Sequence, residues 1–300
     1  MTQDIEQGAF ADYRNDGKGG ATWITLATGE YYPDILPLAC TLYLPVLAMF
    51  GQLIEQSESS TRLFKLITEQ PQSWMRIQLS RVFRKYVSPA TPVEMLKRKI
   101  ATDEIIANFG KQFRPIREVQ TAFKSRPMPD EALCALLWEY KDRGKRGYDL
   151  TERFFEIIET HYPQVTIEGP KRAGADILMG EVFADYPTQN KPIDFVIRDR
   201  KTKSVLAIGL AHYDSDRGGG QEDDRTGQYA STIDELAAYT KSHELDAKII
   251  LLNDGPGLLL GSMWNDYAKL ETRHSNRVLV VTLRMLNERL TMGWLTGKVK

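Results

Sequence analysis

The chain has 300 residues, 42% hydrophobic and 26% charged, which excludes disorder as its main state and leaves room for one large domain or two ordinary ones. With 39 Lys and Arg against 40 Asp and Glu the net charge is −1, so no overall charge draws the protein to a polyanion. Cys40 and Cys134, the two cysteines, have no CxxC or Cys/His spacing, so neither a disulfide framework nor a cysteine-based zinc site is predicted, and a reducing, cytoplasmic compartment fits.

The opening segment MTQDIEQGAF places acidic residues where a signal peptide carries basic ones, and export by that route is not expected. Residues 35–54 run without a charge, long enough for a membrane span, but Pro37, Pro45, Thr41 and Gln52 interrupt them and no second such segment exists. The segment is predicted to be a buried core helix pair, and no membrane partner is expected.

Charge is then unevenly spread. Residues 61–126 hold fourteen basic residues against five acidic ones, a net of +9, so the remainder carries −10. Apolar residues recur at three and four in Trp74, Ile77, Val82, Phe83 and Tyr86 and again in Ile105, Ile106, Phe109 and Phe113, which predicts helices broken at Pro89 and Pro92. Basic side chains interleaved with aromatic ones predict a phosphate-facing surface, with Arg76, Arg81, Arg84, Lys85, Lys97, Arg98, Lys99, Arg114 and Arg117 as candidate DNA contacts. Sequence does not sort base contacts from phosphate contacts.

After Pro127 and Pro129 come a short helix over residues 131–140 and a Gly-punctuated turn. A boundary is predicted there, dividing a mainly helical, basic region (1–146) from an α/β domain (147–300). Asp149 and Glu152 have the spacing of a capping box opening a helix that continues to His161. A strand-and-loop region follows, then a hairpin of PIDFVIRD and VLAIGLAHY, an acidic Gly-rich loop (DSDRGGGQEDDRTGQ), a helix over 229–241, a strand (AKIILLND), a helix over 258–270 and a strand (RVLVVTL). Strands alternating with helices predict a mixed sheet flanked by helices.

A glutamate-bearing helix, a strand opening Pro192-Ile193-Asp194, a second strand after a tight turn, then a helix and a further strand resemble the core of the PD-(D/E)XK nuclease superfamily, and within it a type II restriction endonuclease. The resemblance covers about residues 147–283. It implies Mg2+-dependent, site-specific hydrolysis of double-stranded DNA, a homodimer cutting both strands, and a first metal-binding acid at Asp194. It also implies an acid and a lysine two residues apart on the next strand, where the chain has Gly209 and Ala211; a shift of one residue, to Leu210 and His212, recovers only an imidazole.

Three explanations stand: migration of the acid and base to other elements, a hairpin out of register, or loss of catalysis. Migration is favoured here, because the loop after the hairpin packs five acids and two arginines into twelve residues. The candidate set is therefore Asp194, Asp214 and Glu222 for metal, with His212 and Arg217 assisting the chemistry and Asp223, Asp224 and Arg225 as neighbours. Asp176, also preceding an apolar run, is a second candidate metal acid; in that register the next acid is Asp194 itself. Glu152, Glu156 and Glu159 are candidates for an assisting helix acid. The non-enzymatic alternative is a catalytically inactive nuclease-fold DNA-binding module. GxxxxGK[ST], HExxH and GxSxG are absent, and the four histidines are scattered.

Overall fold

A computed structural model describes residues 8–26, 31–91, 95–96, 99–139, 145–171, 175–214, 220–274 and 276–297, with the side chains of 145–148 and 220–226 outside the description. The chain forms two compact units, one of Gly29–Arg143 and one of Met1–Thr28 with Gly144–Lys300. The division after Arg143 falls three residues before the expected boundary, and the first 28 residues group with the α/β unit instead of the helical region.

The helical unit contains α1 (Leu36–Glu55), α2 (Ser60–Glu69), α3 (Ser73–Tyr86), α4 (Thr102–Phe109), α5 (Ile116–Lys124) and α6 (Glu131–Trp138). In place of the expected helix pair, α1 is continuous through Pro45. Pro45 is exposed, so the ring that cannot donate to the preceding turn faces away from the core, while Thr41 Oγ1 bonds Pro37 O at 2.8 Å. Ala39, Tyr43, Val46, Leu47, Phe50 and Leu53 recur at helical spacing and are buried. By length and composition α1 alone among the described helices would cross a membrane, but these residues make it the core helix of this unit. Aromatic rings knit the rest together: Phe83 lies 5.2 Å from both Phe64 and Phe113, and Phe50 lies 5.6 Å from Phe123. Asp130 caps α6 by accepting the Leu133 amide at 3.1 Å and pairs with Arg126 Nε at 2.7 Å.

The α/β unit opens its main run with α7 (Lys145–His161), which begins a turn earlier than the capping-box spacing implied, so Asp149 lies inside it. Then come β1 (Val165–Glu168), β2 (Ile177–Leu178), β3 (Pro192–Ile193), β4 (Phe195–Asp199), β5 (Val205–Tyr213), α8 (Gly220–Ser242), β6 (Lys248–Asp254), α9 (Met263–Arg273) and β7 (Val278–Val281). Five strands form one mixed sheet in the order β1-β4-β5-β6-β7, while β2 and β3 form a separate two-stranded ribbon. β1, β4 and β5 are antiparallel neighbours; β5, β6 and β7 are parallel, as the intervening helices require. The expected α/β class with a mixed sheet flanked by helices is what the structure has.

Side chains alternate between two cores. Phe195, Ile197, Ala207, Ile250 and Leu252 pack with Phe154, Phe155 and Ile158 of α7. Val196, Ile208, Leu210, Ile249 and Leu251 pack with Ile233 and Leu236 of α8 and Trp264 and Tyr267 of α9. The N-terminal segment joins this second core through Phe10, stacked 4.5 Å from Trp264. A buried ion pair ties it down: Glu271 accepts the Phe10 amide at 2.8 Å and the Arg289 guanidinium at 2.7 Å.

Candidate functional site

Asp194 occupies the step where the chain leaves the ribbon and enters the sheet. Its amide donates to Gly209 O at 3.0 Å, and its Oδ2 accepts the Ala211 amide at 2.8 Å, so backbone and carboxylate are both fixed against β5. Burial pushes the Asp194 carboxyl above the ordinary carboxylate range; the Ala211 amide pulls it down, the Asp176 charge pushes it up and His212 pulls it down. β2 pairs with β3 through Ile177 opposite Ile193, and one further step in that antiparallel register sets Asp176 opposite Asp194. Both acids line a cavity of about 420 Å³ together with Lys191, Leu210 and, from α8, Gln228, Tyr229, Ser231 and Thr232. Lys191 forms an ion pair with Glu235 of α8, which turns a cationic side chain along the cavity wall.

The hairpin register separates Gly209 and Ala211 from Leu210 and His212, the two settings the sequence left open. Phe195 pairs with Gly209, so alternation puts Leu210, not Gly209, on the face of Asp194. A Cβ on Gly209 would lie 1.8 Å from the Phe195 ring, in the core that packs on α7, and Ala211 packs against the same core. Leu210 lines the cavity beside Asp194. The residues of β5 on the sheet face of Asp194 are therefore Leu210 and His212. His212 Nε2 lies 3.2 Å from Asp214 Oδ1, with the Asp214 side chain only 2% exposed. Asp214 is anchored through its backbone, donating to Asp254 O at 2.7 Å and accepting from the Gly257 amide at 2.8 Å. It does not line the cavity that holds Asp194; its carboxylate faces the imidazole. Asp254, fully buried at the end of β6, accepts the amides of Thr25, Gly255 and Leu283 at 2.6–3.0 Å and serves as a tie between three segments.

The acidic loop is shorter than the sequence implied. Helix α8 starts at Gly220, nine residues before the expected start at Tyr229, so Glu222, Asp223, Asp224 and Arg225 lie on its first turns, where acidic residue types complement the helix dipole. Their side chains, and all of Arg217 and Asp216, lie outside the described residues. Of the α7 acids, Glu159 pairs with Lys171 at 2.9 Å. Sequence reasoning missed Lys191 and the polar stripe of α8. The only signal for Lys191 was its place two residues before Ile193, in a ribbon too short for any periodicity to reveal.

The candidate DNA contacts of the helical unit separate into two groups. Arg76 Nη1 donates to Gln70 O at 2.7 Å and Pro71 O at 2.9 Å, Arg81 Nη1 to Gln78 Oε1 at 3.1 Å and Arg84 Nε to Pro89 O at 3.3 Å. Arg114 pairs with Glu118 at 3.2 Å. Arg76 and Arg84 thus hold the loops at the two ends of α3, Arg114 pairs across the start of α5, and Arg81 bonds within α3. Lys85, Lys99 and Arg117 are exposed, and Lys97 and Arg98 lie outside the described residues.

A second cavity, of about 590 Å³, opens at the other end of the β4–β5 hairpin between Arg198, Lys203, Glu244 and Asp246. Among the described residues no three His, Cys, Asp or Glu side chains cluster as a metal-holding group. No protein-family model, curated protein or solved structure matches the chain.

Proposed function

We propose that the protein is a Mg2+-dependent endonuclease of the PD-(D/E)XK type acting on double-stranded DNA. What carries the reading is the carboxylate pair Asp176 and Asp194, lining one cavity at the entry of the central hairpin. The chain order supports it: α7, the antiparallel strands β1, β4 and β5, helix α8, and β6 parallel to β5.

The donor set suits the cation. Mg2+ takes one or two carboxylates and fills its remaining positions with waters and phosphate oxygens, so a third protein acid is not required. Asp176 and Asp194 would hold it, and when bound it would supply polarisation of the scissile phosphoryl group. The residues of the chain do the rest. Asp194, anchored by the Ala211 amide, fixes the position of the site relative to the sheet. Lys191, kept in the cavity wall by Glu235, offers positive charge to the pentacovalent phosphate. The exposed Lys85, Lys99 and Arg117 would meet the DNA backbone. Cleavage of both strands of a short site would use a homodimer.

Incubation with mixed-sequence duplex DNA and Mg2+ tests this. Discrete fragments, abolished by Asp194→Asn and Asp176→Asn with binding retained, are expected. Leu210 in place of the second acid favours a second reading, a DNA-binding module without catalysis; retained binding with no cleavage in Mg2+ or Mn2+ would establish it.

A further inference from the structure

The chain's two cysteines, Cys40 on α1 and Cys134 on α6, are far apart in sequence and meet in the helical unit. Tyr43 Oη donates to Leu137 O at 3.0 Å across the same two helices. Cys40 and Cys134 each stand three residues before these partners, on the same helical faces, and their thiols are hydrogen-bonded to one another. Two contacts one turn apart thus set α1 and α6 side by side, in register and running in one sense. Cys134 is fully buried in the core of the unit, whereas Cys40 packs against that core and stays partly open to solvent.

This asymmetry divides the chemistry between them. Burial first, and then the Cys40 charge, pushes the Cys134 thiol up to about 12, so Cys134 stays protonated and shielded. An oxidant from solvent reaches Cys40 first. A partly exposed thiol with a second thiol in contact is the arrangement in which oxidation ends as a disulfide before it runs on to sulfinic acid. Such a bond would enclose α2, α3, α4 and α5 in one long loop, the case in which a disulfide constrains the unfolded chain most.

We propose that Cys40 and Cys134 are a redox site, at which a hydroperoxide oxidises Cys40 and Cys134 closes a reversible disulfide tying α1 to α6. In the first step the Cys40 sulfur, having released its proton, attacks one peroxide oxygen. The O–O bond breaks with its electron pair, and the departing oxygen takes a proton, leaving a sulfenic acid on Cys40. That acid is uncharged, so the repulsion opposing a Cys134 thiolate is gone when the second step begins. Cys134 then gives its proton to solvent and its sulfur attacks the Cys40 sulfur; the S–O bond breaks, and the hydroxide leaves and is protonated to water. Two thiols are oxidised and one peroxide is reduced. The assignment is independent of the function proposed above.

The test treats the whole protein with hydrogen peroxide, blocks remaining thiols with N-ethylmaleimide, and maps the peptides by mass spectrometry without reduction. A Cys40–Cys134 crosslink within one chain is expected, reversed by dithiothreitol, with a rise in Tm of about 5 °C or more. Cys134→Ala is expected to leave Cys40 as sulfinic acid or joined to a second chain, and Cys40→Ser to leave Cys134 unoxidised at the same dose. Cys134→Ser serves if the alanine variant does not fold, and the wild-type map needs neither. A wild type whose Cys40 ends as sulfinic acid, whose crosslinks join only different chains, or whose thiols stay reduced at a dose that consumes free cysteine overturns the site. A Cys134 oxidised as readily in Cys40→Ser as in the wild type overturns the order of attack, and a crosslink that leaves Tm unchanged or lowers it overturns the tie between α1 and α6.

Discussion

The ring of Phe195 fills the space that any Cβ at Gly209 would occupy, approaching it to 1.8 Å. The two residues are direct partners across the β4–β5 hairpin, so the glycine is what lets the aromatic ring lie across the sheet onto α7. Gly209→Ala is expected to destabilise the α/β unit by about 2 kcal/mol, the usual cost of overpacking, and Phe195→Leu in the same chain should recover part of the loss. Leu210→Glu has the opposite meaning, since it supplies an acid on the cavity face. Titration of Mg2+ against cleavage rate is expected to show a gain of about tenfold in apparent Mg2+ affinity, equivalent to about 1.4 kcal/mol, whereas no glutamate at position 209 would do so.

Asp194 carries charge where burial opposes it, and the nearby Asp176 adds repulsion. Asp194→Asn keeps an oxygen to accept the Ala211 amide and removes the charge. It is expected to raise Tm by a few degrees at pH 7, on the order of 1 kcal/mol, while abolishing cleavage. The sign follows from the raised carboxyl: the folded state holds its proton more tightly than the unfolded chain, so ionisation costs stability above the folded value. The advantage of the asparagine variant should therefore shrink as pH falls through that value, which thermal melts between pH 7 and pH 4 would follow.

Much of this architecture can be read from residues alone. The continuous apolar runs FVI, VLAIGLA and IILL mark strands of a sheet covered on both faces, because burial on both sides demands apolar side chains at successive positions. The start of α8 is not legible, since GGGQEDDR combines helix-breaking glycines with acids that suit either a loop or a helix N-terminus. Nor is the pairing of Asp176 with Asp194, made by a ribbon of two residues per strand that no periodic signal can report. The choice between positions 209 and 211 and positions 210 and 212 has the same root. Spacing along one strand fixes which residues share a face, but only the register with Phe195 says which face belongs to Asp194.

Acid stability of the helical unit should depend on Asp130. The Arg126 guanidinium hydrogen-bonded to it, and the Leu133 amide, hold its carboxyl below the ordinary carboxylate range against the opposing effect of burial. A depressed carboxyl contributes stability that is fully present above the unfolded value, about 3.9, and is lost as pH falls through the lower folded value. Asp130→Asn keeps a capping oxygen and removes the charge. Its deficit relative to wild type is expected to be constant from pH 7 to about pH 5 and to close below about pH 4. Asp130→Ala should lose about 1 kcal/mol more through the missing cap, and urea unfolding across this range measures both.

If the helical unit meets DNA, its exposed cations and its structural arginines must respond differently. Lys85, Lys99 and Arg117 extend from the surface, so Lys85→Ala and Arg117→Ala are expected to weaken binding to unrelated duplexes alike and to lower the salt slope by about 0.9 for each phosphate no longer neutralised. Neither change should move Tm by more than about one degree, as befits a surface position. Arg76→Ala removes two hydrogen bonds to the carbonyls of Gln70 and Pro71, which join α2 to α3. Water can take the place of the guanidinium at these carbonyls, so the loss is expected to cost about 0.5–1 kcal/mol of stability, with the salt slope unchanged. Fluorescence anisotropy at several salt concentrations, paired with thermal melts of the same variants, separates the two groups. A common response from all of them would show that the net charge of this unit does not form a DNA-facing surface.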